Sequence, residues 1–173
     1  MKNIKYYIVL LLLLISLKSE AQLKSVEMNV SGLTCSMCSF ATEKALRTLD
    51  FVQDVNTDLN TNTFIITFKE GKKVSFDQIK RKVEGAGFSV FIFKTVYDFK
   101  NQEVKNGYTL DAGGSELEFI NTKKQSLNGD VKLTVLDKGF VSAEAYKKML
   151  KDANYKELAR QENAQEQIYH VSL

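Results

Sequence analysis

Apolar and polar residues alternate from Ser25 to Ser31, with Val26, Met28 and Val30 on one side and Glu27 and Asn29 on the other. A period of two predicts a half-buried strand. From Cys38 to about Leu49 the period lengthens. Ala41, Ala45, Leu46 and Leu49 form the apolar stripe expected of a helix. Phe51 to Thr57 predicts a second strand with Val52 and Val55 inward. The polar run Asp58 to Asn62 is a turn. Thr63 to Phe68 predicts a third strand with Phe64, Ile66 and Phe68 inward. Ser75 is a candidate N-cap for a helix whose stripe is Phe76, Ile79 and Val83. Phe88 to Val96 predicts a fourth strand with Phe88, Val90 and Ile92 on one face.

The order β-α-β-β-α-β over this stretch predicts an α+β, ferredoxin-like arrangement, an antiparallel sheet with two helices on one face. The pattern then changes. Lys100 to Asn106 is polar and turn-like, Tyr108 to Leu110 and Glu116 to Asn121 are short strands, and Asn128-Gly129 carries a hairpin signal. Val131, Leu133 and Val135 alternate on a further strand. A helix begins at Ser142, breaks near Asp152-Ala153-Asn154 and resumes to Arg160. Ile168 to Leu173 is a last strand. The expected organisation is a ferredoxin-like domain over 22–97 and a small β-rich unit with one helical segment over 98–173. The alternative is an elaboration packed on the first domain's sheet.

The N-terminus adds a leader. Lys2 and Lys5 precede an apolar run from Tyr6 to Leu17, and Ser19-Glu20-Ala21 suits cleavage after Ala21. The run is shorter than the roughly 20 residues of a spanning helix, so export without stable membrane insertion is expected over 1–21. Setting aside Lys2, Lys5, Lys18 and Glu20 leaves 21 basic against 20 acidic residues. That balance gives no reason to expect a nucleic-acid partner.

The chain has two cysteines, Cys35 and Cys38, in Gly32-Leu33-Thr34-Cys35-Ser36-Met37-Cys38. They fall between a predicted strand and a predicted helix. A disulfide across so short a loop constrains little chain entropy, which argues against a purely structural bridge. Two thiolates with no nearby imidazole or carboxylate suit Cu(I) and other soft ions. A closed zinc site needs four ligands, and the single histidine, His170, lies far along the chain. Met37 is a weaker candidate ligand, and Met28 belongs to the core pattern. The rival use of the pair is dithiol–disulfide redox chemistry. The absence of proline and tryptophan, and the element order, argue against a thioredoxin-like enzyme.

The run Gly32 to Cys38, followed by Glu43-Lys44-Ala45-Leu46, resembles the heavy-metal-associated domain over about residues 23–94. That family contains copper chaperones, modules of copper-pumping ATPases and exported mercury-binding proteins. The resemblance places metal ligands on Cys35 and Cys38, the loop glycine on Gly32 and the Gly-aromatic pair on Gly87-Phe88. It implies a non-enzymatic carrier or buffer, with Cu(I) bound in two-coordinate fashion and passed to a protein acceptor, or taken from a donor, by ligand exchange. Ag, Hg, Cd and Zn ions share the thiolate chemistry. Leu33, Thr42 and Phe88 depart from the family's usual residues. Cys38, nearer the helix start, is expected to hold its charge more readily. Lys80, Arg81 and Lys82 form a solvated face or a docking site for an acidic partner. Export implies a periplasmic or extracytoplasmic location. The alternatives are an envelope redox protein using the same pair, and an adaptor whose C-terminal half binds a partner.

Overall fold

The computed structural model describes residues 21–112, 115–159 and 168–173. The leader expected over 1–21 lies outside these residues except for Ala21, as do Arg160 and the polar stretch that follows it.

The elements are β1 Gln22–Ser31, α1 Ser36–Arg47, β2 Val52–Asp58, β3 Thr63–Phe68, α2 Phe76–Gly85, β4 Ser89–Val104, β5 Tyr108–Ala112, β6 Ser115–Phe119, β7 Gln125–Val135, α3 Ala143–Met149, the 3-10 segment Ala153–Ala159 and β8 Ile168–Ser172. They form one eight-stranded sheet of order β2-β3-β1-β4-β7-β8-β6-β5. The first four strands pair antiparallel, β1 lying between β3 and β4. That is the ferredoxin-like order predicted from the pattern. β4 continues the sheet through β7, which pairs with β8, and β8 runs parallel to β6.

Val26, Met28, Val30, Val55, Phe64 and Ile66 are buried, as their alternation requires, and Phe76, Ile79 and Val83 of α2 are fully enclosed. Ser75 caps α2, its hydroxyl accepting the Gln78 N–H at 3.3 Å. In α1 the expected stripe is displaced. Ser39, Thr42, Leu46 and Leu49 are buried, whereas Ala41 faces solvent and Ala45 is half-buried. The two alanines bury little apolar area either way, so Leu46 and Leu49 set the rotation of the helix and carry two hydroxyl residues inward.

The face expected of β4 also changes midway. Val30 pairs with Val90 but Asn29 with Ile92, so Phe91 is an extra residue in a bulge. Beyond it Phe93, Thr95, Tyr97 and Phe99 point inward, and Ile92 does not share their face.

The boundary drawn after residue 97 falls inside β4, which runs on to Val104. The polar stretch from Lys100 is strand containing a bulge, with a register shift between Phe99 and Gln102 and Asn101 at φ 53°. Opposite it, Asn128-Gly129 is not a hairpin. β7 passes straight through, and Gly129 at φ 72° pairs with Phe99. The glycine supplies the left-handed backbone that the bulged ladder needs. Residues after 97 therefore extend the first sheet, and both halves share one core.

Aromatic rings join the halves. The Phe76 ring of α2 lies 5.3 Å from Phe93 and 4.9 Å from Tyr169 of β8. Phe140 lies 5.1 Å from Phe93 and 5.6 Å from Tyr169. Tyr169 donates its hydroxyl hydrogen to Asp77 at 2.8 Å, and Asp77 also pairs with Lys80. A second cluster of Ile120, Leu136, Val141 and Leu158 packs with Tyr146, Met149 and Tyr155 of the helical segment. No helix among the described residues is long and apolar enough to cross a membrane.

Candidate metal centre

The β1–α1 loop carries both cysteines. Gly32 turns the chain out of β1 at φ 91°, a conformation that favours glycine. Leu33 packs back into the core. The Phe88 ring lies close beneath, with its Cδ1 3.5 Å from where a β-carbon on Gly32 would stand. Loop and Gly87-Phe88 turn thus meet at one end of the sheet.

Cys35 is the N-cap of α1, with extended backbone at φ −147° and ψ 154°. Its sulfur accepts the Cys38 N–H at 3.3 Å. Its carbonyl accepts the same N–H at 3.1 Å and the Ser39 N–H at 3.3 Å. The sulfur therefore occupies the place of the serine, threonine or aspartate oxygen that usually caps a helix. Cys35 is exposed and Cys38 is partly buried against the core; both are free thiols. Thr42 donates its hydroxyl hydrogen to the Cys38 carbonyl at 3.1 Å.

The two thiols differ. Cys35 lies below the ordinary thiol range, chiefly because the Cys38 side chain donates a hydrogen bond to it and next because the Cys38 N–H does. Cys38 lies above it, first because its hydrogen is committed to Cys35 and then through desolvation. This reverses the expectation that Cys38 holds charge more readily. The first-turn N–H groups serve the capping sulfur at Cys35, one position outside the helix.

The remaining candidates separate from the pair. Met37 is exposed. His170 is buried in β8. Its Nδ1 lies 2.7 Å from Asp137 Oδ1, its backbone N–H donates to Asp137 Oδ2 at 2.8 Å, and its Nε2 lies 3.6 Å from Glu118 Oε2. Its ring is thus committed to carboxylates within its own part of the sheet. Lys80 pairs with Asp77 at 2.8 Å and sits 4.6 Å over the Phe140 ring. Arg81 and Lys82 instead line a groove between α1 and α2. Among the described residues no group of three or more His, Cys, Asp or Glu side chains is disposed to hold a metal ion. The cysteine capping role was missed from sequence. Its signal was the distance of the pair from Leu46 and Leu49, which fix where the helix begins.

A capping loop with two free thiols thus stands at the end of the βαββαβ unit. The heavy-metal-associated domain model matches residues 27–89. The copper chaperone CopZ of Staphylococcus haemolyticus is 36% identical over 62 residues, 36% of this chain and 90% of the relative. The mercuric transport protein periplasmic component of Serratia marcescens is 31% identical over 68 residues, covering 39% of this chain and 74% of the relative. A probable copper-exporting P-type ATPase of Archaeoglobus fulgidus is 41% identical over 61 residues, 35% of this chain but 8% of the ATPase, so the likeness spans under a tenth of that protein. The chain belongs to the heavy-metal-associated domain family.

Proposed function

We propose that this protein is an exported carrier or buffer of soft metal ions, Cu(I) foremost, held between the sulfurs of Cys35 and Cys38. The observation that carries the reading is the pair itself: two free thiols in one exposed loop, with one sulfur already drawing N–H donors and the other beside it. Loss of two protons gives a dithiolate that suits a two-coordinate monovalent soft ion. Exposure of Cys35 leaves a side from which an acceptor's sulfur can attack, so the metal passes by stepwise exchange, each new acceptor–metal bond replacing one cysteine–metal bond while the protein's own covalent bonds stay as they are. Copper chaperones and a periplasmic mercury carrier among the relatives support this choice of cargo, with Hg(II) as the second ion. The latter also supports the export suggested by the apolar leader.

Anaerobic titration of the reduced protein with Cu(I) against a competing chelator tests it. One equivalent bound tightly, and lost in the Cys35→Ser, Cys38→Ser double variant, is the expected result. Unchanged loading in that variant would sink the reading. The thiol asymmetry favours one rival, a redox protein in which Cys35 attacks and Cys38 resolves. Rapid exchange with a small disulfide combined with weak Cu(I) binding would select it.

A further inference from the structure

The stretch after β7 repeats a segment of the metal-binding unit. Val74, Ser75, Asp77, Lys80, Ala86 and Phe88 around α2 fall, at one constant spacing, on Val141, Ser142, Glu144, Lys147, Ala153 and Tyr155 around α3. Both valines are buried, and both serines cap their helix, accepting an N–H at 3.3 Å and 3.2 Å. The aromatic residue that ends each copy meets a loop that has just left a strand through a left-handed residue. Phe88 lies beneath Gly32, and the Tyr155 hydroxyl accepts from Asn121 Nδ2 at 2.8 Å, with Asn121 at φ 50°. The first copy presents thiols at this place. The second presents a cavity of about 370 Å³ between the end of β6 and the 3-10 segment, a size that suits a small molecule.

Of the side chains lining the cavity, only that of Ala153 is apolar, so the ligand it suits is hydrophilic. The amide nitrogens of two lining residues are already engaged, Asn121 with Tyr155 and Asn154 with Asp152 at 2.9 Å. Each amide oxygen is left as an acceptor with no partner among the described residues. Thr122 is buried, and its hydroxyl donates to the Ile120 carbonyl at 3.0 Å, which fixes the loop that carries Asn121 and Lys123. Lys123 and Lys156 both line the cavity, and neither forms an ion pair among the described residues. Glu157 adds one carboxylate. We propose that this cavity binds an acidic saccharide. Two amide oxygens and a carboxylate call for hydroxyl donors, and two ammonium groups call for a carboxylate; a sugar acid carries both. Inorganic phosphate meets the lysines but offers few hydrogens to the oxygens. The cavity includes no residue of the cysteine loop, so the proposal stands apart from the metal-carrier reading.

The test is isothermal titration of the full chain with trigalacturonic acid and with maltotriose, a neutral trisaccharide. The acid binds about tenfold tighter or more at low salt, and the margin shrinks as ionic strength rises. Lys123→Ala combined with Lys156→Ala weakens the acid about tenfold. Asn121→Asp weakens it by a similar factor. Aspartate tolerates the left-handed backbone and can accept the Tyr155 hydroxyl hydrogen, so the loop is kept while a negative charge enters the cavity. Thermal midpoints close to the parent's show that these exposed substitutions leave the fold intact. The Cys35→Ser, Cys38→Ser variant binds the acid as the parent does, which separates this site from metal binding. No measurable binding of the acid, equal affinity for maltotriose, or unchanged binding in both cavity variants overturns the proposal. Inorganic phosphate that displaces the acid at equal concentration would assign the two lysines to a bare anion and overturn it as well.

Discussion

Tyr169 of β8 donates its hydroxyl hydrogen to Asp77 in the first turn of α2, 2.8 Å away, and stacks its ring 4.9 Å from Phe76. The C-terminal strand thus closes over a helix of the metal-binding unit. Burial, followed by the nearby Asp77 charge, pushes the Tyr169 hydroxyl well above its usual range, which favours its protonated, donating form. Tyr169→Phe keeps the ring contacts and leaves Asp77 paired with Lys80. The expected cost is about 1–2 kcal/mol, read from the urea midpoint. A chain ending at residue 97 is a harsher change. It uncovers Phe76 and Phe93 and turns β4 into an edge strand, and it is expected to lose cooperative unfolding in circular dichroism. A sharp thermal transition in that truncation would show that the βαββαβ unit is self-sufficient.

The thiol asymmetry predicts the order of alkylation. An acid whose pKa is lowered has more anion at a given pH, and the thiolate is the nucleophile. Cys35 is lowered and Cys38 raised, so limited iodoacetamide at neutral pH labels Cys35 first, and Cys38 follows only as pH rises. Cys38→Ala removes the side-chain donor and leaves the backbone N–H, so the pH dependence of Cys35 labelling moves up toward that of an ordinary thiol. Peptide mass spectrometry reads both outcomes. Preferential labelling of Cys38 in the parent protein would reverse the assignment.

What was legible from sequence follows from what each signal measures. Period-two runs of large residues located β1 and β3, because a buried face admits one register. Ser75 and the stripe Phe76, Ile79, Val83 located α2 for the same reason. The cysteine loop was legible because glycine, thiols and helix start are close in sequence. Long-range pairing was not. Asn128-Gly129 has the composition of a tight turn, but its partner is Phe99, and only that pairing makes it a bulge within β7. Phe91 likewise shifts the inward face of β4 through a register slip with β1 that no local pattern records. The cap at Cys35 depended on which end of α1 the core residues fix.

Gly129 provides a direct check on that bulge. Its φ of 72° lies in the left-handed region, and no heavy atom stands within 4 Å of where a β-carbon would be. Gly129→Ala therefore costs backbone strain without a clash, about 1 kcal/mol. Asparagine tolerates this region better, so Gly129→Asn is expected to cost less than alanine. Thermal midpoints of the two variants give the order. Alanine matching the parent would mean that β7 does not hold this backbone in solution.

Thr42 is the sharpest energetic question in α1. Its side chain is wholly enclosed, and its hydroxyl donates to the Cys38 carbonyl at 3.1 Å. Thr42→Val has nearly the same shape and loses one hydrogen bond, worth about 0.5–1.5 kcal/mol net. The carbonyl keeps its intrahelical partner, so no buried acceptor is orphaned. Against that loss, a buried methyl replaces a buried hydroxyl and gains roughly 0.8 kcal/mol or more of apolar burial. The two effects nearly cancel, and the variant is expected within about 1 kcal/mol of the parent by urea denaturation, with the cysteine loop unchanged in alkylation order. A loss of several kcal/mol would instead mean that the Thr42 hydroxyl holds the Cys38 turn in place. Cys38 would then label at lower pH in the variant, because its hydrogen would no longer be aligned with Cys35.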